Sequence, residues 1–130
     1  MRKVFISQPM RGKTDEEILA ERDEAIEKVK QIYDGEEIEI IDSFLKEAPA
    51  DATPLWYLGD SIVLLSKADV MYLCKGWETA RGCVIEYMCA KMYGIDIMLY
   101  NEESRYEYID ILNGVCHDIM LPPISEAATE

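Results

Sequence analysis

Val4-Phe5-Ile6-Ser7-Gln8-Pro9-Met10-Arg11-Gly12-Lys13-Thr14-Asp15-Glu16-Glu17 is the stretch on which the reading of the fold turns. Its first three residues form a short apolar run between a charged start and a segment punctuated by Pro9 and Gly12. That is the pattern of a buried strand running into a loop. Thr14-Asp15-Glu16-Glu17 then fits a capping box, in which Thr14 accepts from a free N–H of the first turn and Glu17 reaches back to the Thr14 N–H. The spacing predicts a helix from there. Ile18, Leu19, Arg22, Ala25, Ile26, Val29, Ile32 and Tyr33 recur at helical period, Glu21, Asp23, Glu24, Glu27 and Lys28 take the wet side, and Gly35 marks the end.

The same alternation continues outward. Ile38, Ile40 and Ile41 make a second strand, followed by a long loop from Asp42 to Thr53. Thr53-Pro54 is an N-cap with a proline at the first helical position, and Leu55, Leu58, Ile62 and Leu65 mark one face of the helix it opens. Asp69 to Cys74 reads as a third strand, Lys75 to Ala80 as a loop, and Val84, Ile85, Met88, Cys89 and Met92 as the stripe of a helix closed by Gly94. Ile95 to Tyr100 is a fourth strand. Tyr108, Ile109, Ile111 and Leu112 point to another helix, Cys116 to Leu121 to a fifth strand, and residues 124–130 to a polar tail after a single domain over 1–123. Strands alternating with helices imply an α/β fold with a parallel sheet covered on both faces. Such sheets bind ligands beyond the carboxyl ends of their strands, where strand order reverses. The loops that matter are therefore Gln8 to Lys13 and Lys75 to Ala80.

Thirteen basic residues against 26 acidic ones give a net charge of −13 on 130 residues, which argues against polymeric nucleic acid as a partner. A hydrophobic fraction of 49% supplies a core without disulfides. No apolar run approaches the ~20 residues that span a bilayer, so no membrane partner and a cytoplasmic location are expected. Cys74, Cys83, Cys89 and Cys116 form no C-x-x-C pair and have one histidine, His117, for company. Neither a metal site nor a cofactor is expected, and the cysteines read as small apolar residues.

Arg11-Gly12-Lys13 lies just before a helix N-terminus, where free N–H groups and a guanidinium converge on an anion, unless the loop is simply a solvated basic counterweight. In the second loop, Gly76-Trp77-Glu78-Thr79-Ala80-Arg81-Gly82 leads to Glu86 at the edge of a buried helix face. Helical side chains lean over the preceding turn, and the residue four before Glu86 is Gly82, so the carboxylate faces an open space. The bland alternative is an ordinary helical Glu paired with Arg81 or Lys75. Asp60 sits mid-helix beside Gly59, which costs about 1 kcal/mol of helix stability relative to alanine and hints at close ligand approach. Trp77 either stacks on a flat ligand or closes the core. Asp69 reads as a turn residue holding backbone N–H groups. Two acids over a crevice with an arginine and a tryptophan point to chemistry at an acetal-like carbon.

The run Val4 to Gly12, Asp60 in the middle helix, Lys67-Ala68-Asp69-Val70, and Gly76-Trp77 through Arg81-Gly82-Cys83-Val84-Ile85-Glu86 together resemble the nucleoside 2-deoxyribosyltransferase-like superfamily. The likeness is greatest to its small bacterial and phage branch, related to the 2'-deoxynucleoside 5'-phosphate N-hydrolases. The resemblance implies a flavodoxin-like three-layer sandwich with four to five parallel strands in the order 2-1-3-4-5. It implies cleavage or transfer at the N-glycosidic bond of a nucleotide or nucleoside, with Glu86 attacking C1' and Asp60 orienting the sugar. Arg11 with Gly12 falls on the phosphate-contacting loop, and Ser7, Gln8, Met10, Trp77, Arg81 and Gly82 complete the expected substrate-binding set, Trp77 walling the base. The nucleotide hydrolases place a phosphate-holding serine before the glutamate, where this chain has Thr79-Ala80-Arg81. A homodimer or higher homo-oligomer is also implied. The alternative is a non-catalytic nucleotide-binding or sequestering protein of phage type.

Overall fold

A computed structural model describes residues 1–43 and 48–100. The helix expected around Tyr108, the fifth strand from Cys116, His117 and the tail lie outside the described residues.

β1 (Arg2–Ser7) sits inside the sheet, and its residues Val4 to Ser7 are buried without a break, as expected of a parallel strand covered on both faces. The described elements follow in the order β1, α1 (Asp15–Ile32), β2 (Ile38–Ile40), α2 (Pro54–Leu65), β3 (Val70–Leu73), a 3-10 turn over Trp77–Thr79, α3 (Arg81–Met92) and β4 (Asp96–Leu99). The four strands are all parallel in the order β2-β1-β3-β4, a flavodoxin-like arrangement. Strand order reverses between β1 and β3, where Ser7 pairs in register with Leu73 at the carboxyl edge.

Successive strand residues point to opposite faces, and this separates two cores. Val4, Ile6, Val70, Tyr72 and Cys74 pack with Ala25 and Val29 of α1 on one face. Phe5, Met71, Leu73 and Leu99 pack with Leu65 of α2 and with Cys83, Val84, Tyr87 and Ala90 of α3 on the other. Ser7 belongs to this second face by alternation with Phe5.

α1 starts as the sequence requires: Glu17 N donates to Thr14 Oγ1 at 3.2 Å and Thr14 N to Glu17 Oε1 at 3.3 Å. Ile18, Arg22, Ala25 and Val29 are buried, whereas Leu19 and Ile32 face outward. Arg22 is buried with its guanidinium crossing to the segment after β2, Nη2 donating to Ile41 O at 2.8 Å and Nη1 to Ser43 Oγ at 3.1 Å. Thr53 caps α2 by accepting from Trp56 N at 3.1 Å. Asp69 holds a backbone N–H as its position implies, although the donor is Lys3 N of the neighbouring strand, at 2.8 Å, and not a turn residue.

The expected stripe of α3 is corrected. Ile85 and Met92 are exposed, and the buried side is Cys83, Val84, Glu86, Tyr87 and Ala90. The helix is rotated so that its acid lies within the buried face and not at its edge. Among the described residues no helix is long and apolar enough to cross a membrane.

Candidate active site at the carboxyl edge

Ser7 ends β1, and Glu86 occupies the second turn of α3, which packs on the same face of the sheet. The Ser7 hydroxyl donates to Glu86 Oε1 at 2.7 Å, a buried bond between residues far apart in the chain. Glu86 is 7% exposed, and burial pushes its carboxyl up to about 7, with the Ser7 hydrogen bond offsetting part of that rise. No described residue donates to Oε2. Neither Arg81 nor Lys75 pairs with this acid, so it is not the surface ion pair of the bland reading.

A methyl group built at Gly82 makes ordinary van der Waals contact with Leu58 Cδ1 of α2, at 4.0 Å, so α2 packs beside the turn before Glu86 where the spacing implied open space. Cys83 lies within hydrogen-bonding reach of the same Ser7 hydroxyl, and burial pushes its thiol up to about 12, which keeps it a neutral neighbour. Cys74 on the opposite face is likewise pushed up to about 12 by burial.

The two loops of interest meet over this edge. Gly76, at φ +87°, turns the chain after β3, and Pro9 Cγ lies 3.6 Å from where its side chain would start. Ala80 offers no side-chain cap to α3, so among the described residues the first N–H groups of that helix have no side-chain partner.

The signature of a family described as a domain of unknown function, DUF4406, matches residues 2–99. The chain belongs to this family. No curated protein and no solved structure matches it. The matched span runs from β1 to β4 and so contains every candidate site residue.

The remaining candidates of this DUF4406 chain fall into three groups. Arg11, Met10 and Arg81 are exposed at the same edge, and neither arginine is in an ion pair with a described residue. Gly12 takes φ +80°, which lets the loop turn there. Lys13 is instead held by Glu21 at 2.7 Å, beside a cavity of ≈ 550 Å³ lined also by Tyr72, Cys74, Lys75 and Tyr100 on the α1 face. Thr79 Oγ1 donates back to Gly76 O at 2.9 Å and stabilises the loop.

Gln8 is buried and bridges β1 to α1, its Nε2 donating to Ile18 O at 3.0 Å while Oε1 is a sealed acceptor without a partner. Such an oxygen is an unmet demand of about 1–3 kcal/mol. Trp77 corrects the expectation that it walls a base: it is fully buried, 4.8 Å between ring centroids from Tyr87, and it closes the core. Burial of the large indole surface among Phe5, Leu73 and Tyr87 is favourable in its own right and leaves no face of the ring for a ligand. Asp60 is half-buried on α2, and no described contact joins it to Glu86. At about 100° per residue it lies roughly 200° around the helix from Leu58, the residue facing Gly82.

Sequence reasoning missed Ser7 as the partner of Glu86 and Cys83 as its neighbour. The alternation of β1 was the available signal, since Ser7 must share the face of Phe5.

Proposed function

We propose that this DUF4406 domain cleaves or transfers at the N-glycosidic bond of a (deoxy)nucleoside 5'-monophosphate or nucleoside, with Glu86 as nucleophile. The observation that carries this is the buried Glu86 carboxyl at the reversal of strand order, held at one oxygen by Ser7. The ionised Oε2 attacks C1', the C1'–N bond breaks, and its electron pair leaves with the base. A glycosyl ester of Glu86 results. Water attacking that ester makes the protein a hydrolase; a second base makes it a transferase.

Ser7 fixes the carboxylate so that the free oxygen faces the substrate. Arg11 and the uncapped start of α3, where Arg81 stands, support an anionic 5' end. The sequence resemblance assigns sugar orientation to Asp60, but Asp60 lies about 200° around α2 from Leu58, the residue in contact with Gly82, so the reading rests on Glu86 and Ser7 without it.

Incubation with deoxynucleoside monophosphates and nucleosides, followed by chromatography for free base, tests the reading. Release by the wild type and its loss in Glu86→Ala are expected; equal release by both removes Glu86 from the mechanism. Because attack requires the ionised form, kcat/KM should fall on the acid side of pH about 7. Ser7→Ala should move that limb to higher pH, since the lost hydrogen bond favoured the carboxylate, and Ser7→Thr should restore it.

A second reading rests on the same geometry. A buried carboxyl held at one oxygen by Ser7, and pushed up toward neutrality by burial, can hold a ligand group by hydrogen bonding without attacking it. This fits a nucleotide-binding or sequestering protein. Tight binding with no base release, unchanged in Glu86→Gln, is the result that selects it.

A further inference from the structure

The cavity of ≈ 550 Å³ on the α1 face lies across the sheet from Glu86, and the glycosidic chemistry uses none of its lining. Its volume falls within the roughly 300–1,000 Å³ of small-molecule sites. Among the described residues α1 is the one helix on this face, whereas α2 and α3 both cover the other, so a hollow remains between α1, the end of β3 and Tyr100. Tyr72 lines it and is 2% exposed, yet its hydroxyl has no hydrogen-bond partner among the described residues. A buried hydroxyl left so is an unmet demand. Burial pushes Tyr72 up to about 12, so the group keeps its proton and stays a donor. The rim adds two cations. Lys28 on α1 and Lys75 after β3 are in no ion pair with a described residue, although the chain carries 26 acidic residues against 13 basic ones. Glu21 is held by Lys13 at 2.7 Å, which leaves Glu24 as the one described acid of the lining without an ion pair.

We infer that this cavity is a second binding site, which takes a small phosphate monoester with an apolar body and holds its phosphate between Lys28, Lys75 and the Tyr72 hydroxyl. The three donors come from three directions: the helix, the loop after β3 and the floor of the sheet. A phosphate monoester brings about two negative charges and three terminal oxygens, one for each donor. A carboxylate has two oxygens and is matched by the fork of an arginine, which the described lining lacks. Ala25 and Tyr100 give the body of the ligand an apolar wall. This inference does not depend on the glycosidic reading, because it uses none of the residues assigned to that chemistry.

Calorimetric titration of the full chain with phenyl phosphate, inorganic phosphate and phenol tests it. Phenyl phosphate should bind once per chain and more tightly than inorganic phosphate, phenol should not bind, and added salt should weaken both phosphates. Lys28→Ala and Lys75→Ala should each weaken phenyl phosphate about tenfold. Tyr72→Phe keeps the ring in the core and should weaken it several-fold with no fall in Tm, which a merely structural hydroxyl would cause. Arg11→Ala should leave binding unchanged, since that arginine is not part of the lining. Failure of phenyl phosphate to bind the full chain at millimolar concentration, as when residues 101–130 occupy the cavity, overturns the inference. So does binding that survives replacement of both lysines, that Tyr72→Phe leaves untouched, that Arg11→Ala abolishes, or that phenol matches.

Discussion

Arg22 on α1 and Glu86 on α3 are both charged groups on the inner side of a helix, one on each face of the sheet, and they are treated oppositely. The Arg22 guanidinium is spent on Ile41 O and Ser43 Oγ, tying the segment after β2 to the helix. Burial lowers its pKa, with Asp42 opposing that change. Glu86 has one oxygen held by Ser7 and one that no described residue serves. The helices around them differ as well. α1 shows solvent Glu16, Glu17, Glu24 and Glu27, whereas α2 shows it Leu55 and Val63. A buried charge whose partners are all present holds the fold together; a buried acid with an oxygen that no described residue serves is a candidate for binding or chemistry.

The widest break in stability should come from Trp77→Ala, which empties the core beneath α3 and costs about 3–5 kcal/mol by urea denaturation. A loss under about 1 kcal/mol would return Trp77 to the crevice wall.

Glu86→Gln sharpens the contrast through its sign. The folded carboxyl is raised from 4.5 to about 7, so the folded chain holds a proton in that window that the unfolded chain has released. The stability it contributes is full below about pH 4.5 and is lost as pH rises through about 7. Replacing it should therefore stabilise the protein by up to about 3 kcal/mol at pH 8 and by little at pH 4, seen as a pH-dependent rise in Tm over wild type.

Arg22→Met should go the other way, losing about 2 kcal/mol because Ile41 O and Ser43 Oγ are left without a donor. A neutral result would make Arg22 as dispensable to the fold as Glu86. The smallest effect is expected of Thr14→Ala, about 1 kcal/mol from the lost α1 cap, independent of pH between 5 and 8 and measurable by the same denaturation.

Much of this architecture was legible along the chain. The capping box at Thr14, the proline start of α2 and the continuous apolar β1 act through neighbours within a few residues, and all are found in the structure. The α3 stripe misleads because Cys83, Tyr87 and Ala90 are weaker apolar signals than Ile85 and Met92, yet they are the residues that α3 packs into the core with Val84. Of the site, the acid on α3 was legible in the sequence, whereas its burial and the packing of α2 against Gly82 were not. The serine partner was not, since 79 residues separate it from Glu86. The side of the loop on which Trp77 lies is set by its packing against Tyr87 and the core beneath α3, a long-range contact that local spacing does not encode.

Local order and hydrophobic period determined the alternation of strand and helix, because both depend on contacts within a turn or a pleat. Tertiary packing alone decided which way α3 rolled, which hydroxyl met Glu86 and how far that carboxyl rose toward neutrality. Those depend on how much water is excluded when distant segments close over one group, and a linear spacing contains no measure of that.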